Sequence, residues 1–174
     1  MKFKHIFYII IILISTIVSC NNNSKLQDKL IEKLPIYVQQ DSLITTHEVK
    51  IIDTTSTGTP RIIHFVCQKD TTIQIEKIYH NSGKIYIEGE LKAGKRHGLW
   101  KAWYENDNLW SIGNYQNGLK EGLEETYYPN GQVRYSKIYK NNKENGLAKY
   151  FDEKGNLISE VEYLNDSIIS KKEY

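Results

Sequence analysis

The sequence contains little cysteine, methionine or proline: two cysteines, one methionine and three prolines occur among 174 residues. The cysteines, Cys20 and Cys67, are too few for a disulfide framework or a metal site built from cysteines. A transmembrane helix needs roughly 20 apolar residues. The apolar run from Ile6 to Val18 is only 13 residues long. These absences argue against a disulfide-rich scaffold, a cysteine-bound metal centre and a transmembrane helix.

An excess of charge of one sign is also missing. The formal net charge of +2 comes from Lys2 and Lys4, and the other basic and acidic side chains balance. Proteins that bind nucleic acid through its phosphates normally carry a basic patch. We therefore expect no nucleic-acid partner.

Tyrosine and tryptophan are abundant instead, with 13 and 3 copies, in a chain whose mean hydropathy is -0.53. Both side chains have an apolar body and a polar tip, which suits a thin sheet in contact with water. A thick globular core would need more Leu, Phe and Met. The composition therefore favours a thin β-sheet.

One 24-residue pattern occurs four times without a gap over residues 75–170, in units that begin at Ile75, Leu99, Leu123 and Leu147. A fixed period of this kind is typical of a repeat architecture. Position five is aromatic, positions eleven and seventeen are apolar or aromatic, and glycines mark the predicted turns. The structural positions are Tyr79, Trp103, Tyr127 and Phe151; Ile85, Leu109, Val133 and Leu157; Leu91, Tyr115, Tyr139 and Tyr163; Gly83, Gly131 and Gly155, with Asp107 in the remaining unit; and Gly98, Gly122 and Gly146 at unit ends.

The second unit shows what one repeat is. Leu99–Tyr104 and Leu109–Tyr115 read as strands, and residues 105–108 and 116–122 read as turns. Four such hairpins predict an all-β, elongated antiparallel meander about eight strands wide, or roughly 38 Å. Each hairpin is marginal alone and is stabilised by its neighbours.

Strand alternation then predicts the faces of this sheet. Positions one, five, eleven and seventeen share strand parity, so their Leu and aromatic side chains should form one stripe. The opposite face should be polar, with Trp100 and Trp110 as exposed exceptions. Because Trp is common at binding hot spots, these two residues are the candidate interaction surface.

The segments Gly98-Leu99-Trp100-Lys101-Ala102-Trp103-Tyr104 and Tyr127-Tyr128-Pro129-Asn130-Gly131 resemble the MORN-repeat family. The resemblance extends over residues 75–170 and is greatest to the bacterial variant whose members are often described as antitoxin-like. It implies a hairpin-repeat fold. In that family such repeats serve as interaction surfaces, as lipid-associated modules or as appendages of catalytic domains.

The start of the chain resembles a bacterial lipoprotein signal peptide. Residues 1–19 have a short basic start and an apolar run, and Ile17-Val18-Ser19-Cys20 resembles a lipobox, whose cysteine becomes acylated. Residues 20–24 form a polar tether. Stable membrane binding takes more than one acyl chain. We expect lipidation of Cys20 and a location in the bacterial cell envelope, at the outer membrane.

Residues 25–74 are predicted to hold a short helix and a β extension. Leu26, Leu30, Ile31 and Leu34 fall on one helical face over residues 25–34, and Pro35 should end this helix. The helix could cap the sheet or lie on lipid. β-branched groups after Leu43 predict strands that are separated by turns at residues 56–60 and 68–70. The charged residues 171–174 form a C-terminal edge that should discourage strand pairing, so we expect a monomer.

Catalytic patterns are absent from the sequence. No two histidines have metal-ligand spacing, and no serine lies in a nucleophile elbow. Gly94–Gly98 contains Lys95 and Arg96, but no helix follows to complete a phosphate cradle. We therefore expect neither catalysis nor a cofactor.

Two functions remain open. The first is a membrane-anchored lipoprotein that presents its repeat sheet as a scaffold for a protein or envelope partner. The alternative, implied by the family resemblance alone, is an antitoxin or immunity protein that neutralises a toxin. A toxin-like gene beside its own would favour the alternative.

Overall fold

The computed structural model describes Glu32, residues 34–41, Leu43, residues 47–67 and residues 69–174. The predicted signal peptide, Cys20, the polar tether and most of the predicted helix at 25–34 lie outside these residues. The chain divides into two compact units between Gln74 and Ile75. In the described part of the chain, no helix has the length and apolar character needed to cross a membrane.

The first unit contains a one-turn helix, α1 (Ile36–Gln39). The helix predicted to end at Pro35 covers residues 25–34, most of which lie outside the described residues, and α1 is a separate helix that begins directly after Pro35. The carbonyl of Pro35 accepts hydrogen bonds from the amides of Val38 and Gln39 at 2.9 and 3.1 Å. Proline suits a helix start because its φ is already near the helical value and its missing N–H is not needed there.

The first unit also contains an antiparallel hairpin formed by β1 (Glu48–Thr54) and β2 (Pro60–Val66). Val49, Ile63, Phe65 and Val66 are buried. These are the β-branched and aromatic residues that favour strands. The turn lies between Thr54 and Pro60, within the segment rich in Ser, Thr and Gly.

The remaining strands follow one another in a meander, with each strand antiparallel to the next wherever the register is described. The two-residue strand β9 pairs with β8 beside the main path. This confirms the predicted all-β meander of consecutive hairpins. The strands are β3 (Ile73–Tyr79), β4 (Ile85–Lys92), β5 (Lys95–Trp103), β6 (Leu109–Gln116), β7 (Leu119–Tyr127), β8 (Val133–Lys140), β9 (Lys143–Glu144), β10 (Gly146–Phe151), β11 (Leu157–Leu164) and β12 (Ser167–Glu173).

Two kinds of turn alternate along this meander. In the first kind, Gly83, Gly131 and Gly155 have φ of 85°, 88° and 86°, and Asp107 has 66° at the equivalent position. Asp107 therefore adopts the backbone conformation for which glycine is otherwise used, as Asp and Asn tolerate better than most residues. These four residues lie in turns, as the repeat pattern predicts.

The second kind of turn is shorter than predicted. It consists of two residues, such as Asn117 (φ 52°) and Gly118 (φ 88°), and this pair of positive φ values matches a tight hairpin turn. Residues 119–122 belong to β7 and not to a turn. Gly98, Gly122 and Gly146 likewise lie in strands, so their prediction as turn residues is wrong.

The two faces of the sheet also differ from the prediction because the hairpins β5–β6, β7–β8 and β10–β11 each contain a β-bulge. The pairing shifts between Ala102 and Trp103, so Trp103 faces Leu109 while Ala102 faces Ser111. Equivalent shifts occur at Thr126/Tyr127 and Tyr150/Phe151. One extra residue reverses the alternation of the strand. Positions eleven and seventeen consequently lie on opposite faces and not in one stripe.

We call the side with Trp100, Ala102, Tyr115, Thr126 and Ala148 the tryptophan face, and the side with Leu99, Trp103, Leu123 and Leu147 the leucine face. Leu99, Leu123 and Leu147 are 45, 51 and 38% exposed, whereas Trp100 is 4% exposed. The side chains at position one of the predicted stripe thus lie on the more exposed side. The more buried side chains lie on the face expected to be polar.

Side chains in the longer turns connect successive hairpins. The Tyr104 hydroxyl donates to the Tyr127 carbonyl at 2.8 Å, and the Tyr128 hydroxyl donates to the Phe151 carbonyl at 3.0 Å. Asn106 and Asn130 donate in the same way to the carbonyls of Pro129 and Glu153. Each bond joins residues 23 positions apart. The repeated Tyr and Asn positions therefore reflect one contact made between consecutive repeats.

Candidate functional site

A groove of about 480 Å³ opens on the tryptophan face of the second unit. Its floor contains the small residues Ala102, Ser111, Gly113 and Thr126. Pockets of this volume are in the range that binds small ligands. The side chains around this floor are aromatic or charged: Tyr86, Arg96, Trp100, Trp110, Tyr115, Lys120, Glu124, Arg134 and Tyr135.

The groove exists because the repeats differ at its floor. Ser111, Gly113 and Thr126 correspond, one repeat later, to Tyr135, Lys137 and Tyr150. There the large side chains fill the same face: the Lys137 ammonium lies 5.0 and 5.4 Å from the Tyr135 and Tyr150 ring centroids. Small residues in one repeat and large ones in the next confine the depression to the middle of the sheet.

The filled region beyond the groove is a polar network. Lys137 Nζ lies 2.5 Å from Glu144 Oε1. Burial lowers the pKa of Lys137, but its hydrogen bonds to Glu144 and Tyr150 outweigh this and raise the pKa above its usual value. The hydrogen bond between the Tyr163 and Tyr150 hydroxyls, together with burial, raises the pKa of Tyr163 to about 12. This network keeps its charges paired and closes one end of the groove.

Trp100 is part of the groove wall but is not exposed as predicted. Its indole N–H donates to the Glu90 carbonyl at 3.0 Å. The ring lies against Gly89, where a Cβ atom would be only 2.3 Å from the indole. A hydrogen bond thus holds Trp100 in place, and the ring fits closely against β4 because Gly89 has no side chain. Trp100 is therefore a rigid part of the groove wall.

The Arg96 guanidinium lies on the Trp100 ring. Its central carbon is 4.1 Å from the Trp100 ring centroid and 5.4 Å from the Tyr115 ring centroid. It donates one long hydrogen bond, of 3.5 Å, to the Tyr115 hydroxyl. No carboxylate pairs with Arg96 among the residues that the structure describes. Stacking fixes the plane of the guanidinium and leaves most of its N–H groups available.

Lys120 and Glu124 form an ion pair beside Arg96, with 2.5 Å between Nζ and Oε1. Lys120 Nζ also lies 4.8 Å from the Tyr139 ring centroid. Burial and the carboxylates of Glu124 and Glu144 raise the pKa of the Tyr139 phenol well above its ordinary value. The phenol therefore remains neutral at physiological pH. The positive charge of Lys120 is neutralised by Glu124, whereas that of Arg96 is not.

Trp110, the second predicted surface residue, is half-buried in the opposite part of the groove. Its ring stacks on Tyr86, with centroids 5.8 Å apart and an interplanar angle of 11°, and it lies 6.1 Å from Tyr104. The extra residue of the β-bulge in β6 brings Trp110 to this face. The groove therefore combines an aromatic part and a cationic part.

The structure brings together the two candidate residues Trp100 and Trp110. No sequence pattern selected Lys120 or Glu124, and Arg96 appeared only in a segment that lacks the helix of a phosphate cradle. The sequence signal that could have found the groove is the run of small residues in the second repeat at positions where the third repeat has Tyr and Lys. Among the described residues there is no group of three His, Cys, Asp or Glu that could hold a metal ion.

Comparisons with known proteins support the repeat assignment. A family model described as MORN repeat variant matches residues 96–117, 120–141 and 144–165. This confirms the family resemblance for three consecutive repeats. The first predicted 24-residue repeat, residues 75–98, lies almost entirely before the matched residues. A search of curated proteins found no match.

Two solved structures with similar chain segments are those of TarM. One, an S. aureus TarM mutant in complex with fondaparinux, alpha-GlcNAc-glycerol and UDP, is 15% identical with a TM-score of 0.36, over 52% of this chain and 18% of that chain. The other, TarM, is 12% identical with a TM-score of 0.35, over 67% of this chain and 26% of that chain. This chain spans only a small part of the length of either protein.

Proposed function

Starting from three consecutive matches to the MORN repeat variant, we propose that this protein is a non-catalytic scaffold that binds a partner in the bacterial cell envelope. The observation that carries the proposal is the groove on the tryptophan face. Rigid aromatic side chains beside an unpaired arginine are the residue types most often found at binding hot spots. A monomer presents this groove on the sheet without any need for a second copy.

The proposal includes a lipid anchor at Cys20. The support is the sequence alone: a basic start, an apolar run and the Ile17-Val18-Ser19-Cys20 motif. Each buried CH₂ of an acyl chain contributes about 0.8 kcal/mol to membrane binding, so two or three chains hold the protein stably. The anchor would keep the groove close to the outer membrane.

Cys20→Ala should abolish incorporation of a palmitate analogue in cells and release the protein from the membrane fraction. The reason is that Cys20 is the proposed acylation site. Cys67→Ala is the matched control and should label as the unmodified protein does. Labelling of the Cys20→Ala protein at the normal level would contradict the anchor.

Trp110→Ser should remove most partner recovery in a crosslinking pull-down from native cells, because it deletes the large aromatic surface in the groove. Trp100 is unsuitable for this test, since its burial makes any loss ambiguous. The matched control is Trp103→Ser, which removes a half-buried Trp from the leucine face. Far-ultraviolet circular dichroism should show the same β-sheet signal for both variants.

Equal recovery with Trp110→Ser and with the unmodified protein would refute the groove as the binding surface. Recovery of a toxin as the crosslinked partner would instead support the antitoxin or immunity function. That function also predicts a toxin-like gene beside the gene of this protein.

A further inference from the structure

We infer that the groove binds an acidic saccharide, with the sugar ring against Trp110 and its carboxylate or phosphate on Arg96. This inference deepens the proposed function, on which it rests, by assigning the chemistry of the envelope partner. It is carried by an aromatic surface, an unpaired guanidinium and unpartnered hydroxyls in one groove of about 480 Å³.

The cationic part of the groove selects for an anion. Arg96 has no carboxylate partner in the described chain, although Glu124 lies in the same groove, because Glu124 is paired with Lys120. Arg134 also lines the groove, is exposed, and lies over the Tyr128 ring at 5.7 Å. A guanidinium whose plane is fixed by stacking can donate two parallel hydrogen bonds to a carboxylate or phosphate.

The aromatic part selects for a ring with apolar C–H groups. The rings of Trp110 and Tyr86 are almost parallel and stacked, which holds the aromatic surface of this part of the groove in place. A pyranose presents C–H groups on its faces and hydroxyls around its edge, so it can pack on an aromatic wall and still make polar contacts. Tyr and Trp suit such mixed contacts because little side-chain entropy is lost when they bind.

The floor supplies the polar contacts for those hydroxyls. Ser111 and Thr126 have no side-chain hydrogen bond among the described residues, and Thr126 is buried. Hydroxyls that line a groove bond to water when it is empty, and a ligand hydroxyl can take the place of that water. A ligand hydroxyl could bond to either side chain. A fully apolar ligand would leave these groups unsatisfied.

The volume limits the ligand to a short segment. About 480 Å³ is enough for one or two sugar rings and too little for a folded protein element. The later repeats carry Tyr135, Lys137 and Tyr150 where the groove has small residues, so the site is not repeated along the sheet. One saccharide segment per chain is therefore expected.

The test is titration of the full-length protein in detergent with three probes, followed by calorimetry and by tryptophan fluorescence. The probes are an oligosaccharide of galacturonic acid, glucose 6-phosphate and a neutral oligosaccharide of galactose. We expect saturable binding of a charged probe at one site per chain and much weaker binding of the neutral one. The uronate and the phosphosugar distinguish a carboxylate from a phosphate as the anionic group.

Arg96→Gln should weaken binding of the charged probe by about tenfold to a hundredfold, as expected for loss of charge-assisted hydrogen bonds. Arg61→Gln is the matched control, since Arg61 pairs with Asp53 in the first unit, and it should bind normally. Ser111→Tyr introduces the residue that the next repeat carries at this position. It should fill the groove and abolish binding while the circular dichroism signal remains unchanged.

Absence of binding for both charged probes at millimolar concentration would overturn the saccharide assignment. The assignment would also be overturned if Arg96→Gln and a folded Ser111→Tyr both bound the charged probe with unchanged affinity. If the pull-down nevertheless recovers a protein partner through Trp110, the scaffold stands and only the saccharide assignment fails. If the saccharide binds but no cellular partner depends on Trp110, the scaffold fails instead.

Discussion

Trp100→Ala is expected to lower the free energy of unfolding of the repeat sheet by about 3–5 kcal/mol, the usual cost of truncating a buried Trp or Phe to Ala. The side chain is 4% exposed, donates a hydrogen bond to the Glu90 carbonyl and carries the Arg96 guanidinium. Its removal leaves a cavity and an unsupported cation. Urea denaturation followed by circular dichroism measures this loss.

The matched control is Trp110→Ala, which truncates the same residue type on the same face. Trp110 is half-buried, so less apolar area is lost, and we expect a loss of roughly 1–2 kcal/mol. Similar losses for the two variants would contradict the role of Trp100 as the buried support of the groove. The comparison also tests the burial of Trp100, which the sequence predicted to be exposed.

Gly89→Ala is expected to cost about 3 kcal/mol, the upper end of the usual range for overpacking. The added Cβ would lie 2.3 to 2.6 Å from three atoms of the Trp100 indole. Neither the ring nor β4 can move away easily, because the indole N–H is bonded to Glu90 on that same strand. Denaturation under the same conditions measures the change.

Gly113→Ala is the matched control for this clash. Gly113 occupies the same repeat position as Gly89, but its added Cβ would meet the Glu124 side chain at 3.4 Å. Since Ala is favoured over Gly in a strand by roughly 0.5–1 kcal/mol, we expect this variant to be neutral or slightly more stable.

The double variant Gly89→Ala with Trp100→Ala gives the decisive comparison. If the clash with the indole causes the loss, Gly89→Ala should cost little once the indole is gone, and the two effects should not add. Additive losses would show that Gly89 is required for another reason. This cycle isolates one contact between adjacent strands from the general stability of the sheet.

The sequence predicted the repeat, the strands and the hairpin order because these depend on local and periodic features. Gly83, Gly131 and Gly155 occur where the turns need a positive φ, and the apolar positions lie in the strands between them. The Tyr and Asn positions recur because each repeat makes the same hydrogen bonds to the next one. Such features can be recognised without any knowledge of tertiary structure.

Only the tertiary structure decided which face is buried and where a ligand could bind. Opposite Ala102 and Trp103 of β5, strand β6 contains one extra residue, Trp110. One extra residue is enough to reverse the faces of the strand. Within the described part of the chain Arg96 has no carboxylate partner, because the nearby carboxylate of Glu124 is bonded to Lys120. The sequence determined the period of this protein because period is local, whereas exposure and pairing depend on neighbours that are distant along the chain.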